Sequence, residues 1–282
     1  MKEFLKQFNN FVTRNGFEVG RVFDDFLQYI IWAHTLPQYG KKIEGWSYAP
    51  EQSKEMFSMY QTLILAIKPE IDRKGWFDAF GEIYEDMIAG KFRRSNSGQF
   101  FTPPSICEIM TEITAPKEQQ IVGKTVSDST CGSGRNLLAF HAHHVGNYFV
   151  AEDIDRTCCM MTVCNFIIHG VEAEVIWHNS LQPDTFYGGW KTNEYLNQPF
   201  SEYRGLPHAR EIAYNETLLK RMNDKSLEVF RIKGKLDEAY KRQLTMLSAV
   251  RSSKTTSEDR KRQITQITKR ISGIKKLMKR YE

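Results

Sequence analysis

Between residues 124 and 177 three short apolar runs alternate with two longer segments of helical spacing, and that alternation narrows the possible folds more than any other stretch. Residues 124–127, 148–151 and 175–177 read as buried strands, and residues 135–144 and 156–169 as the helices that follow the first two. Strands joined by helical crossovers run parallel with right-handed connections, so an α/β sheet is expected here. A further helix over residues 106–113 follows the Pro103-Pro104 pair.

The flanks differ in pattern. Up to residue 94 the chain reads helical, with Phe23, Phe26, Leu27, Ile30 and Ile31 on one face and Met56, Met59, Tyr60, Leu63 and Ile67 on another. Pro37 and Gly40 are expected to end the first of these helices, and Pro69 with Gly75 the second. A third helix carries Phe77, Phe80, Ile83, Tyr84, Met87 and Ile88, with Gly90 as its stop. Beyond residue 200 the pattern is helical without a strand signal. Met222, Val229, Leu236, Tyr240, Leu247 and Val250 form an imperfect heptad stripe, and Ile264, Ile267, Ile271, Ile274, Met278 and Tyr281 follow strict 3-4 spacing. The polar residues 252–259 lie between them, with Ser257 placed to cap the second helix. The expected organisation is an N-terminal helical domain (1–94), a sheet domain (95–200) and a basic antiparallel hairpin of coiled-coil type (201–282).

Charge separates the same regions. The chain of 282 residues has a net charge of +5, yet residues 215–282 hold 19 basic and 8 acidic side chains, leaving the rest acidic overall. A basic arm on an acidic body suits an anionic partner. No apolar run reaches membrane-spanning length, since Gln28 and His34 interrupt the longest, and the start at Met1-Lys2-Glu3-Phe4 lacks an apolar signal stretch. A cytoplasmic protein with no membrane partner is expected. The five cysteines form no CxxC pair and read as reduced, packed thiols. His141, His143 and His144 read as a solvated helix face, and no metal site is expected.

Chemistry concentrates at the strand ends. Asp128-Ser-Thr-Cys131-Gly132-Ser-Gly134 joins the first strand to its helix, and such a glycine-rich turn lets backbone N–H groups approach a ligand at a helix N-terminus. Upstream lies Gly98-Gln99-Phe100-Phe101-Thr102-Pro103-Pro104. The second strand ends in Ala151-Glu152-Asp153-Ile154-Asp155, where an acid suits a ribose diol. Glu152 is expected at a solvated strand end. After the third strand, His178-Asn179-Ser180-Leu181 offers an amide to an adenine edge.

In this order the four elements, together with FGEIYEDMI before them, resemble the N6-adenine DNA methylase family, which includes the modification subunits of type I restriction systems. The resemblance covers about residues 76–181. It implies a Rossmann-like methyltransferase sheet, possibly truncated, with S-adenosylmethionine as cofactor and DNA as substrate. By the same resemblance Phe101 and Thr102 would line the methionine end and Asp128 would meet its ammonium. Gly132 and Gly134 would admit its carboxylate, Asp153 would hold the ribose, Ile154 would pack on the adenine and Asn179 would bond its amine.

One family element departs. No Asn-Pro-Pro-aromatic sequence follows a strongly apolar fourth strand. Asn197-Gln198-Pro199-Phe200 keeps the amide and the ring, with Gln198 in place of a proline whose ring would fix φ. In the catalytic reading Asn197 and the Pro199 segment would orient the target amine and Phe200 would stack on a flipped adenine. The resemblance therefore leaves two functions: an adenine-N6 methyltransferase of restriction-modification type, with a specificity subunit among its partners, or a non-catalytic cofactor-binding module that pairs with another subunit through its C-terminal helices. A basic helical DNA-binding protein is a third reading, which would leave the cofactor residues without a purpose.

Overall fold

A computed structural model describes residues 1–35, 43, 45–89, 101–116, 118–182, 185–196, 205–212, 224–252 and 257–279. Residues 1–181 and 189–211 belong to one compact unit, and residues 182–188 and 212–282 to another.

The first unit opens with helices α1 (Lys2–Asn15), α2 (Val19–Ala33), α3 (Pro50–Lys74) and α4 (Ala79–Tyr84), the last running into a π-helical turn (Glu85–Ala89). Spacing of three and four residues places Phe4, Phe8 and Phe11 on the buried side of α1. Phe4 and Phe8 meet Phe26 of α2 at ring-centroid distances of 5.6 and 6.1 Å. Glu18 caps α2 by accepting hydrogen bonds from Gly20 and Arg21 N–H. Pro69 does not end its helix as expected, because α3 continues to Lys74. The carbonyl that loses its partner belongs to Leu65, on the exposed side of the helix.

A five-stranded sheet follows, formed by β1 (Thr125–Asp128), β2 (Tyr148–Asp153), β3 (Ala173–Trp177), β4 (Gly188–Thr192) and β5 (Ala209–Glu211), lying side by side in that order. Strands β1, β2 and β3 are parallel, with Asp128 opposite Ala151 and Asp153 opposite Trp177; β4 and β5 are antiparallel. The fold is thus mixed α/β. Neither β4 nor β5 is apparent from apolar patterning: β4 reads Gly-Gly-Trp-Lys-Thr, and β5 has three residues held to the helical region by Ala209 N–H donating to His34 C=O.

Helices α5 (Pro104–Thr114), α6 (Arg135–His143) and α7 (Arg156–His169) form a layer in which α5 packs on α6 and α6 on α7. Beneath them, α6 meets β1 while α7 meets β2 and β3. Helix α7 is buried nearly all round, because α2 and α4 cover its other side. Asp155 caps it through Thr157 and Cys158 N–H, and Gly170 closes it at φ 68°. The Cys107, Cys131, Cys158, Cys159 and Cys164 thiols are free and buried.

Two surface expectations are overturned by this layering. His144 is fully buried with Nε2 bonded to Ala115 C=O, His143 pairs with Glu108 at 2.8 Å and His141 packs on the Phe149 ring of β2, so the histidine triplet on and just after α6 is not a solvated face. Glu152 is also buried, and its Oε2 lies 3.1 Å from His178 Nε2.

In the second unit α8 (Asp224–Ser252) and α9 (Ser257–Met278) pack against each other, and the short interval between them requires an antiparallel arrangement. Ile267 is buried, Ile264, Ile271, Ile274 and Met278 are half-buried, and Lys275 lies 5.6 Å from the Tyr240 ring centroid. Among the described residues no helix is long and apolar enough to cross a membrane.

Candidate functional site

Parallel strands aim their C-terminal ends at one side of the sheet, and the tips of β1 and β2 border a cleft of about 190 Å³. Phe101, Thr102, Gly132, Ser133, Arg135 and Asp153 are among its walls. Three segments separate in sequence thus meet at one opening: the Phe101-Thr102 pair, the glycine-rich turn and the tip of β2.

Asp153 has both carboxylate oxygens held by backbone. Oδ2 accepts from Gly132 N–H at 2.9 Å and Oδ1 from Asp155 N–H at 2.9 Å. Burial raises its pKa above the ordinary carboxylate value, against these hydrogen bonds. The group is therefore oriented before any ligand arrives.

The two glycines have different tasks. Gly132 has φ 56°, and a Cβ there would lie 3.0 Å from the Phe101 ring, so only glycine lets the ring close over the turn. Gly134, at φ 82°, packs on α7, where a Cβ would sit 2.9 Å from Thr162 Cγ2 and 3.2 Å from the Phe166 ring. Its constraint is helix packing against the turn.

Asp128 bends back on the turn through Thr130 N–H at 3.1 Å and is met by Asn136 Nδ2 at 3.3 Å. Asn136 is itself part of the cleft wall. Past the tip of β2, Ile154 is 62% exposed, and its carbonyl accepts from Trp177 Nε1 at 3.0 Å. Asn179 follows β3 in a tight turn, with Oδ1 accepting from Leu181 N–H. The ends of β2 and β3 are tied together by His178 N–H donating to Asp153 C=O. Phe101, Thr102, Gly132 and Asp153 therefore border the cleft itself, while Asp128 at the tip of β1 and Gly134, Ile154 and Asn179 on the turns beyond the strands are not among its walls. Burial pushes the Cys131 thiol well above its ordinary value, which keeps it protonated and unreactive.

A charged network below the turn is absent from the motif-based reading. Asp78, at the N-terminus of α4, is 2% exposed and Arg135 is 4% exposed. Asp78 Oδ2 accepts from Arg135 Nε at 2.6 Å and from Ser133 Oγ, while Oδ1 accepts from Gly81 N–H at 2.8 Å and Asn165 Nδ2 at 2.7 Å. A Cβ on residue 81 would fall 2.1 Å from Asp78 Oδ2, so glycine is required there. Arg135 then donates from Nη1 to Thr102 C=O at 3.0 Å and from Nη2 to Glu85 at 3.1 Å, with its guanidinium 5.7 Å from the Phe101 ring centroid. One carboxylate thus connects α4, the glycine-rich turn and α7, and its arginine positions the Phe101-Thr102 wall. The Asp78-to-Gly81 spacing is a capping signal in the sequence, but nothing there indicates its distant partners.

Asn197, Pro199 and Phe200 lie outside the described residues. Leu196 and Gly205, which flank that stretch, are hydrogen-bonded to each other at 3.0 Å. Leu196 also lies against Gly170, at the end of α7 opposite the cleft.

Carboxylates at two strand tips, an aromatic wall and an exposed apolar side chain beyond the second tip thus stand at one end of the parallel strands. Residues 76–227 match the profile of a family described as N-6 DNA Methylase. Over 173 residues the chain is 22% identical to the Type I restriction enzyme EcoEI methylase subunit of Escherichia coli, covering 57% of this chain and 30% of that protein. It is 29% identical over 136 residues to the MpnII methylase subunit of Mycoplasma pneumoniae, covering 43% and 23%. It is 27% identical over 139 residues to the MjaIX methylase subunit of Methanocaldococcus jannaschii, covering 44% and 23%. The chain spans less than a third of the length of these relatives. No solved structure matches.

Proposed function

The chain belongs to the N-6 DNA methylase family, and from that premise we propose that it binds S-adenosylmethionine in the cleft at the ends of β1 and β2 for methyl transfer to adenine N6 in DNA. The observation that carries this reading is the convergence of Phe101-Thr102, Gly132 and Asp153 on one opening. The bound cofactor supplies an activated methyl group on a sulfonium. Asp153 accepts hydrogen bonds from the ribose hydroxyls, Asp128 faces the methionine ammonium and Phe101 excludes water from the methionine chain. Ile154 covers one face of the adenine, and Asn179 bonds its amine. A Rossmann-like methyltransferase sheet and a restriction-modification role belong to the same proposal, which the likeness to the type I methylase subunits named above supports.

Titration calorimetry should give a dissociation constant in the micromolar range, about −8 kcal/mol. Asp153→Ala should weaken it tenfold or more, as expected for losing a charged hydrogen-bond acceptor. No heat and no thermal shift with excess cofactor would remove the reading. A labelled-methyl assay on mixed-sequence DNA then separates a methyltransferase from a cofactor-binding module.

The basic helical pair α8–α9 is proposed as the arm that meets DNA or a partner subunit. Deleting residues 213–282 should leave cofactor affinity within a factor of two while lowering DNA retention in a low-salt gel shift. Loss of cofactor binding in that deletion would place the arm in the core instead.

A further inference from the structure

Side chains along β2 alternate between the two faces of the sheet, so the residue before Asp153 points away from it. Phe149, Ala151 and Asp153 share one face, on which the Phe149 ring meets Phe140 of α6 and Phe166 of α7 at centroid distances of 6.2 and 6.5 Å. Val150 and Glu152 share the other. In register Glu152 lies opposite Ile176, and both Val150 and Ile176 are fully buried. Glu152 itself is 2% exposed and His178, which continues the same face past the end of β3, is 1% exposed. A carboxylate set among buried apolar neighbours is costly unless it is hydrogen-bonded, and an apolar side chain would pack there without that cost.

The two buried groups meet where the backbone ladder stops. Asp153 and Trp177 are the last paired residues of β2 and β3. Beyond them His178 N–H donates to Asp153 C=O at 3.0 Å, and His178 Nε2 lies 3.1 Å from Glu152 Oε2. Backbone and side chain of His178 thus reach two consecutive residues of β2 and close a ring at the strand tips. His178 Nδ1 has no hydrogen-bond partner among the described residues, so the contact with Glu152 is the hydrogen bond that orients the imidazole. Each member of the pair stands one residue before a group assigned to the cofactor. Glu152 precedes Asp153, whose carboxylate is held by Gly132 and Asp155 N–H, and His178 precedes Asn179, whose amide is held by Leu181 N–H.

We propose that Glu152 and His178 are positioning residues for the adenosine half of the cofactor. Their hydrogen bond is a side-chain rung beyond the last backbone pair, and it sets the separation of Asp153 from Asn179. This role deepens the cofactor reading and rests on it. Being buried, neither side chain touches the cofactor; the pair acts through the two residues that follow it. Ribose and adenine are joined by one glycosidic bond, so the groups that meet them must keep a fixed spacing. A tip already held at that spacing binds without first being ordered, and a hydrogen bond in a dry interior is directional enough to hold it.

The test uses the full 282-residue chain, titrated with S-adenosylhomocysteine and with methylthioadenosine, which lacks the amino-acid end. The double substitution Glu152→Met/His178→Leu keeps the volume of the pair and removes its hydrogen bond, an exchange that buried polar pairs commonly tolerate in stability. It should melt within a few degrees of wild type yet bind both probes roughly fivefold or more weakly, the worth of about one hydrogen bond. Glu152→Gln, whose amide oxygen still accepts from Nε2, should stay within about twofold of wild type. Glu152→Asp draws the carboxylate back by one methylene and should show the same loss on both probes, which serves where the apolar pair does not fold. Variants that bind both probes as tightly as wild type would overturn the proposal. So would a loss confined to S-adenosylhomocysteine, which would place the effect at the methionine end, or a Glu152→Gln variant as weak as Glu152→Asp. Wild-type protein that binds neither probe would remove the cofactor reading and this role with it, whereas wild-type binding with indifferent variants removes the positioning role alone.

Discussion

Asp78→Ala is expected to lower unfolding stability by about 3–5 kcal/mol, the usual cost of leaving a buried charge without its partner. The carboxylate receives four hydrogen bonds from Gly81, Ser133, Arg135 and Asn165, and the arginine it neutralises is 4% exposed. A loss of that size is a large part of the 5–15 kcal/mol typical of folded domains. Urea titration should place the variant midpoint well below the wild type with little change in slope. The double variant Asp78→Ala/Arg135→Leu should recover part of the loss, because the buried guanidinium, left with only the half-exposed Glu82 and Glu85, is then gone from the interior. Cofactor affinity should not recover with it, since Arg135 also holds Thr102 C=O and stacks near Phe101. An Asp78→Ala variant as stable as wild type would mean that water reaches Arg135. A double variant no better than the single would locate the cost in the capping of α4 instead.

The elements that positioned this site were legible where one physical signal dominated. Strands β2 and β3 announce themselves as apolar runs ended by Asp153 and the His178-Asn179 pair, whereas β1, expected buried, leaves Thr125 and Ser127 exposed and has Val126 as its one apolar residue; α7 begins and ends at its sequence-predicted residues because Asp155 and Gly170 are strong caps. Strand β4 was hidden because its glycines and lysine carry no apolar alternation, and Trp190 alone does not make a pattern. The burial of Glu152 could not be read from its own strand, since what buries it is His178, 26 residues on. The Asp78 network was illegible for the same reason: its members span residues 78 to 165 and meet only after α4 packs on α7. The motifs around the cleft were legible in the sequence, whereas the place of β1 at the end of the described strand order became visible only once that order was known.

Stability is expected to fall as pH drops from about 6.5 toward 4, and His169 is expected to be a principal cause. Its Nε2 accepts from Phe77 N–H at 3.1 Å, and its Nδ1 lies 2.7 Å from Asn165 C=O. The ring must therefore be the neutral tautomer with its proton on Nδ1, because an imidazolium would set an N–H against the Phe77 N–H. Burial pushes its pKa down to about 4, from 6.5 when unfolded. Between these values the unfolded chain binds a proton that the folded one refuses, so each pH unit removes up to about 1.4 kcal/mol and the whole window up to about 3 kcal/mol. His34 and His141, also lowered by burial, act in the same direction. Asp24, Glu82, Asp153 and Glu172 have raised values, so the folded state takes up their protons first and they oppose the loss as pH passes through the carboxylate range. The clean window is thus pH 6.5 to 5. Urea unfolding at half-unit steps across it should show stability declining with acid, and His169→Gln should reduce that slope by as much as one proton's worth while lowering stability at pH 7.5. A variant with the wild-type slope would show that His169 is free to charge in the folded state, and that the Phe77 and Asn165 contacts do not hold it neutral.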